Sequence, residues 1–164
     1  MSTNPRFDLA GRTVIVTGGG KGIGKVYAQE FARAGARVVA ADIDETAAKA
    51  VADGLAAEGL EALGLGTDIA NEQAVEAMAQ AALDRFGAID VLINNASLMS
   101  VLPRRSWLEI PVDEWDRVMA VNLRGTFLCC RAVFPAMKAQ QRGKIVNISS
   151  SRVFEGSPNR LHYT

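Results

Sequence analysis

Two stretches of this chain combine residue types that can do chemistry. The first is TGGGKGIG, Thr17 to Gly24. Gly18, Gly22 and Gly24 let a backbone turn sharply and let a pyrophosphate come close. A helix opening behind them offers free N–H groups and the positive end of its dipole. Lys21 is followed by Gly22 rather than by Ser or Thr, so this is not the loop that cradles nucleoside triphosphates. Asp42 follows Gly24 by 18 residues, near the offset of about 20 at which an acid meets a dinucleotide's ribose hydroxyls. A carboxylate there accepts from a 2′-OH and repels a 2′-phosphate, which favours NAD over NADP. Lys21 pulls the other way, since a cation in this turn can pair with that phosphate. The second stretch is NISSSRVFEGSPNRLHYT, Asn147 to Thr164, in which serines leave a strand-like segment and a tyrosine follows at 163. What Ser150 and Tyr163 do depends on where the fold puts them.

The elements that must position these residues are written in the hydrophobic pattern. Short β-branched runs at Thr13–Thr17, Arg37–Asp42, Ala62–Thr67, Asp90–Asn94 and Lys144–Ile148 alternate with helical stretches at Gly22–Ala34, Glu45–Glu58, Glu72–Phe86 and Val112–Gln140. Asn71 and Gly87 suit the N- and C-caps of the third helix, and Asp44 the N-cap of the second. Near-continuous apolar strands joined by single helices form a parallel sheet covered on both faces. With right-handed crossovers this is an α/β, doubly wound Rossmann-type fold of one domain over residues 1–164, with about five strands. The composition, 49% hydrophobic but only 6% aromatic, predicts close helix-on-sheet contacts made by small side chains.

Lys+Arg and Asp+Glu both total 18, which leaves no electrostatic footprint for nucleic acid or an anionic membrane. The start is polar and the longest apolar runs are strand-sized, so a cytoplasmic location is expected. Cys129 and Cys130 are neighbours on a helix and are expected as buried free thiols. His162 is the lone histidine, with no acidic partner indicated by the sequence, and Arg104 and Arg105 are expected as a solvated loop pair.

Four further segments follow in order: TDI at Thr67–Ile69, NNA at Asn94–Ala96, VN at Val121–Asn122, and Ser150 spaced 13 residues from Tyr163. With TGxxxGIG ahead of them they resemble the short-chain dehydrogenase/reductase family, in its common oxidoreductase branch, over essentially the whole chain. The resemblance implies an NAD(P)(H)-dependent oxidoreductase that interconverts a secondary alcohol and a ketone or aldehyde. It implies coenzyme contacts at Gly18, Lys21, Gly22, Ile23, Gly24, Asp42, Ile43, Asp68, Ile69, Asn95, Ala96 and Tyr163. Asp68 would meet the adenine amino group, Ile69 would flank the ring, and Asn95 and Ala96 would line the ribose. Ser97 stands where the family usually carries a glycine.

The resemblance assigns Tyr163 as acid/base, Ser150 as the group that orients the substrate oxygen, and Asn122 as the residue that holds a water in the proton path. A phenol with an ordinary pKa of about 10 needs roughly 4 kcal/mol of help from positive charge to work near pH 7. In the family a lysine four residues after the tyrosine supplies part of it, and that position lies beyond Thr164. The expectation is therefore the N-terminal part of a longer enzyme, which when complete forms homodimers or homotetramers through the Val112–Gln140 helix and the helix that follows it. The alternative is that the chain is only a dinucleotide-binding module without turnover, the catalytic lysine being absent.

Overall fold

The computed structural model describes residues 9–163. In β1 (Thr13–Thr17), Val14 and Val16 face one side and Ile15 the other, and all three are fully buried. A strand apolar on both faces must be covered twice. The chain does this with α1 (Gly22–Arg33), β2 (Arg37–Asp42), α2 (Glu45–Ala57), β3 (Ala62–Gly66), α3 (Glu72–Phe86) and β4 (Val91–Asn94). A long loop with a 3₁₀ turn at Trp107–Glu109 leads to α4 (Val112–Met119), a π-helical turn (Ala120–Gly125), α5 (Thr126–Ala139), β5 (Lys144–Asn147) and a short α6 (Arg152–Glu155). The five strands pair in parallel in the order β3-β2-β1-β4-β5. The order reverses between β1 and β4, and it is at the carboxyl ends of the strands beside such a reversal that α/β folds of this kind bind ligands.

On one face Ala28, Ala32, Val51 and Leu55 of α1 and α2 cover Val14, Val16, Val38, Ala40 and Ile93. On the other, Met78, Ala82 and Phe86 of α3 and Leu128, Val133 and Met137 of α5 cover Ile15, Val39 and Leu92. Each large apolar side chain so buried contributes about 1.5–3 kcal/mol. The small-residue packing expected from composition is present: a Cβ on Gly64 would fall 2.5 Å from the Ala48 carbonyl oxygen, so α2 lies directly against β3. Cys129 is a buried free thiol, its pKa pushed up to about 12 first by burial and then by Cys130, and Cys130 Sγ accepts from Asn94 Nδ2. β5 forms one edge of the sheet, with Ile145 and Val146 partly exposed.

Asn71 and Asp44 cap α3 and α2 through bonds from Ala74 N and Ala47 N, and Gly87 ends α3 in the left-handed region. Several element ends fall one residue inside the expected bounds, as terminal residues commonly do. Two differences matter more. The stretch expected as one helix from Val112 to Gln140 contains the π turn, around which Gly125 packs against Ile69 and Asn122 reaches the loop after β4. The residues after Ser151, expected as loop, close a single helical turn through bonds to Ser151 O and Arg152 O.

Candidate functional site

Gly18 leaves β1 with φ +65°, and a Cβ there would stand 3.0 Å from Ala96 Cα. Gly24, in the first turn of α1, approaches nearer still: its Cβ would lie 2.0 Å from Gly18 O. The turn and the helix start are therefore pressed together in a way only hydrogen side chains allow. No side chain caps α1, so the N–H groups at its start are open to an anion. Gly19 N donates to Ala41 O and Gly20 N to Asp42 Oδ2, both at 3.0 Å, which ties the turn to the end of β2.

The end of β4 is held beside the glycine turn by Thr17, a residue to which no motif assigns a role. Its hydroxyl accepts from Asn95 N at 3.0 Å and Ala96 N at 3.1 Å while donating to Ile93 O at 3.3 Å. Asn95 returns the contact, its Nδ2 donating to Thr17 O at 3.0 Å. Asn95 thus clasps the end of β4 to the glycine turn, and Ala96 is left half-buried beside Gly18. A hydroxyl at a strand end just before a glycine turn was the available signal for this role.

Asp42 Oδ1 accepts from Asp44 N at 3.0 Å and Oδ2 from Gly20 N. Each oxygen keeps a further lone pair for a ribose hydroxyl. Lys21 Nζ stands 2.6 Å from Asp44 Oδ2. That bond raises the lysine pKa and, with the Ala47 N–H, lowers that of Asp44. The cation that could have met a phosphate is engaged by a carboxylate the sequence reading treated only as a cap. Ile23 and Ile43 are exposed beside this turn, at 66% and 77%. Asp68 is exposed and caps its own loop, accepting from Ala70 N at 2.9 Å. Ile69, expected to flank the ring, is buried in the core under Gly125.

Asn122 sits in the π turn, where its side chain pairs with one backbone unit in both directions. Oδ1 accepts from Leu98 N at 2.7 Å and Nδ2 donates to Leu98 O at 3.1 Å. It anchors the loop after β4. Ser150 leaves β5 half-buried, its hydroxyl accepting from Arg152 N at 3.3 Å. Tyr163 is half-buried, its N–H donating to Arg160 O at 3.0 Å. Among the described residues no hydrogen bond joins the Ser150 hydroxyl to the Tyr163 phenol, and contacts of this kind often tighten only with ligands bound. His162, against expectation, does meet an acid: Nε2 is 3.1 Å from Glu114 Oε1. Arg105 is likewise no solvated partner of Arg104, for it reaches Glu114 Oε2 at 3.4 Å.

Residues 12–164 match the short chain dehydrogenase family. The chain belongs to that family. It is 50% identical over 159 residues to a probable short-chain type dehydrogenase/reductase of Bradyrhizobium diazoefficiens, covering 96% of this chain and 56% of that protein. It is 41% identical over 156 residues to an uncharacterized oxidoreductase of Thermotoga maritima, covering 95% and 60% respectively. It is 37% identical over 161 residues to the L-rhamnose 1-dehydrogenase (NAD(P)(+)) of Azotobacter vinelandii, covering 95% and 62%. The chain thus spans about three fifths of the length of these curated relatives. Short chain dehydrogenases bind a nicotinamide dinucleotide, and the uncapped helix start behind the pressed glycine turn fits its pyrophosphate. Among the described residues no helix is long and apolar enough to cross a membrane.

Proposed function

We propose that the protein carrying this chain is an NAD(H)-dependent oxidoreductase that interconverts a secondary alcohol and the corresponding ketone or aldehyde. The observation that carries this reading is the pressed glycine turn at the switch between β1 and β4, with Gly18 and Gly24 packed together and Thr17 and Asn95 clasping the two strand ends, in a family-matched segment. The N–H groups at the start of α1, at Gly22, Ile23 and Gly24, hold the pyrophosphate. Asp42 receives the adenine ribose hydroxyls, Ile43 and Asp68 flank the adenine side, and Ala96 lines the second ribose. Ile69 acts from beneath, as packing for the wall. The bound nicotinamide supplies or accepts the hydride. NAD is favoured over NADP because Asp42 and Asp44 place two carboxylates at this end and Lys21 is already paired.

Ser150 orients the substrate oxygen through its hydroxyl, and Tyr163 moves the proton on or off that oxygen. Asn122, anchored to Leu98, fixes the loop that borders the proton path and takes part in holding a water there. The substrate is a small alcohol or carbonyl compound. Homodimers or homotetramers form through α4, the π turn and α5, where Val112, Leu123, Phe127 and Phe134 are exposed among Asp113, Asp116, Arg117 and Arg124. The deciding experiment is Tyr163→Phe in the full-length protein. Turnover should be lost while NADH, titrated by fluorescence, still binds; an unchanged rate would end the acid/base assignment.

A further inference from the structure

His162 and Glu114 are 3% and 7% exposed, although α4 residues beside Glu114, such as Asp113 and Trp115, face solvent. His162 Nε2 and Glu114 Oε1 stand 3.1 Å apart without hydrogen-bond alignment, and His162 Nδ1 has no hydrogen-bond partner among the described residues. Arg105 holds the other carboxylate oxygen. Three segments meet here: the loop after β4 through Arg105, α4 through Glu114, and the stretch that carries Tyr163 through His162. Two more bonds sew the first to the third, Arg105 N to Asn159 O at 3.0 Å and Arg160 Nη2 to Leu102 O at 3.3 Å.

A buried polar pair adds little net stability, and apolar residues of similar volume would often serve as well or better. What such a pair can do is fix a position. The position fixed here is one residue from Tyr163. We infer that Glu114 and His162, steadied by Arg105, are positioning residues that set where the Tyr163 phenol stands and tie it to the loop following β4. The inference rests on the proposed acid/base role of Tyr163. Neither side chain touches the reacting atoms; both act through the backbone they hold.

The test uses the full-length protein and three measurements: kcat, NADH dissociation constant and Tm. His162→Leu and Glu114→Leu each leave a buried polar group alone and should lower both Tm and kcat. The double variant Glu114→Leu/His162→Leu replaces the pair by packed apolar groups. With Arg105, which is partly exposed, free to turn to solvent, it should recover the wild-type Tm while kcat stays down by about tenfold to a hundredfold, the scale of an ångström-sized misplacement, with NADH affinity within about twofold. His162→Gln, which keeps a donor toward Glu114, should restore most of the rate. The inference is overturned if the double variant regains both Tm and kcat, since the pair would then be merely structural. It is equally overturned if kcat and NADH affinity fall together. Should the single variants fail to fold, the double and His162→Gln decide alone. Tyr163→Phe separates the two levels: a retained rate removes the acid/base reading itself, whereas an inactive Tyr163→Phe beside a fully active double variant removes only the positioning role.

Discussion

Gly24→Ala puts the close approach of α1 to the glycine turn under direct test. Gly24 lies in a helix, where alanine is favoured over glycine by about 1 kcal/mol, so propensity alone predicts stabilisation. The contacts predict the opposite. An added methyl would sit 2.0 Å from Gly18 O, 2.6 Å from Asn95 Nδ2 and 2.7 Å from Gly18 C. A carbon tolerates an oxygen at about 3.3–3.6 Å, so helix and turn must part by about 1.3–1.6 Å. Two of the three obstructing atoms are backbone and cannot rotate away. Overpacking of this kind costs about 1–3 kcal/mol or more. The shift also strains the Asn95 bond to Thr17 O, worth about 1 kcal/mol. Net destabilisation of about 1–3 kcal/mol follows, a Tm drop of about 2–4 °C per kcal/mol for a chain of this size. NADH binding should weaken with it, because the disturbed backbone is the proposed pyrophosphate cradle. Gly54→Ala is the control, an exposed position inside α2 with nothing within 4 Å of its Cβ, and it should gain about 0.5–1 kcal/mol. Circular-dichroism melting and an NADH fluorescence titration on both variants read the result. If Gly24→Ala melts as high as Gly54→Ala and binds NADH with wild-type affinity, the argued contact does not exist.

Three further substitutions test other parts of the structure. Asp90, 5% exposed, accepts from Thr13 N, Arg12 Nη1 and Arg142 Nε, and so binds the start of β1 to the turn ahead of β5. Burial pushes its pKa up, but the Thr13 N–H and the two guanidinium groups outweigh burial and hold it below the ordinary carboxylate value. A depressed folded-state pKa gives stability that is complete above the unfolded value of about 4 and lost as pH falls through the folded one. Asp90→Asn should therefore cost about 1–3 kcal/mol at pH 7 in chemical denaturation, and the gap to wild type should narrow only below about pH 4; a gap independent of pH down to acid unfolding would refute the account. For coenzyme choice, Asp42→Ala should reduce any preference for NAD, and Asp44→Ser, which keeps the α2 cap, should release Lys21 and tighten NADP a few-fold. Unchanged dissociation constants for both dinucleotides in both variants would mean that neither carboxylate governs the selection.

The parts of this protein legible in the sequence are those encoded by short-range rules. The period of apolar residues set out β1 to β5 and α1 to α3, because a strand buried on both faces and a helix buried on one leave different repeats. The Asn71, Gly87 and Asp44 caps were equally local, since a cap and its partner lie three or four residues apart. The glycine turn announced its own chemistry, as Gly18 and Gly24 are needed wherever a backbone must come within van der Waals range of another.

What only the tertiary structure decided are the pairings between distant segments. Thr17 with Asn95, Asn122 with Leu98, and Lys21 with Asp44 each join different elements, and no local pattern specifies which polar group meets which. The burial of Ile69 beneath Gly125 follows from the π turn, which helical periodicity does not mark. His162 and Glu114 are the sharpest instance. Each has ordinary neighbours along the chain, and their contact exists only because the loop after β4 carries Arg105 back across α4 to the stretch before Tyr163. Spacing along the chain names the groups that can react. The distances that let them do so are set by packing, which acts between residues the sequence holds far apart.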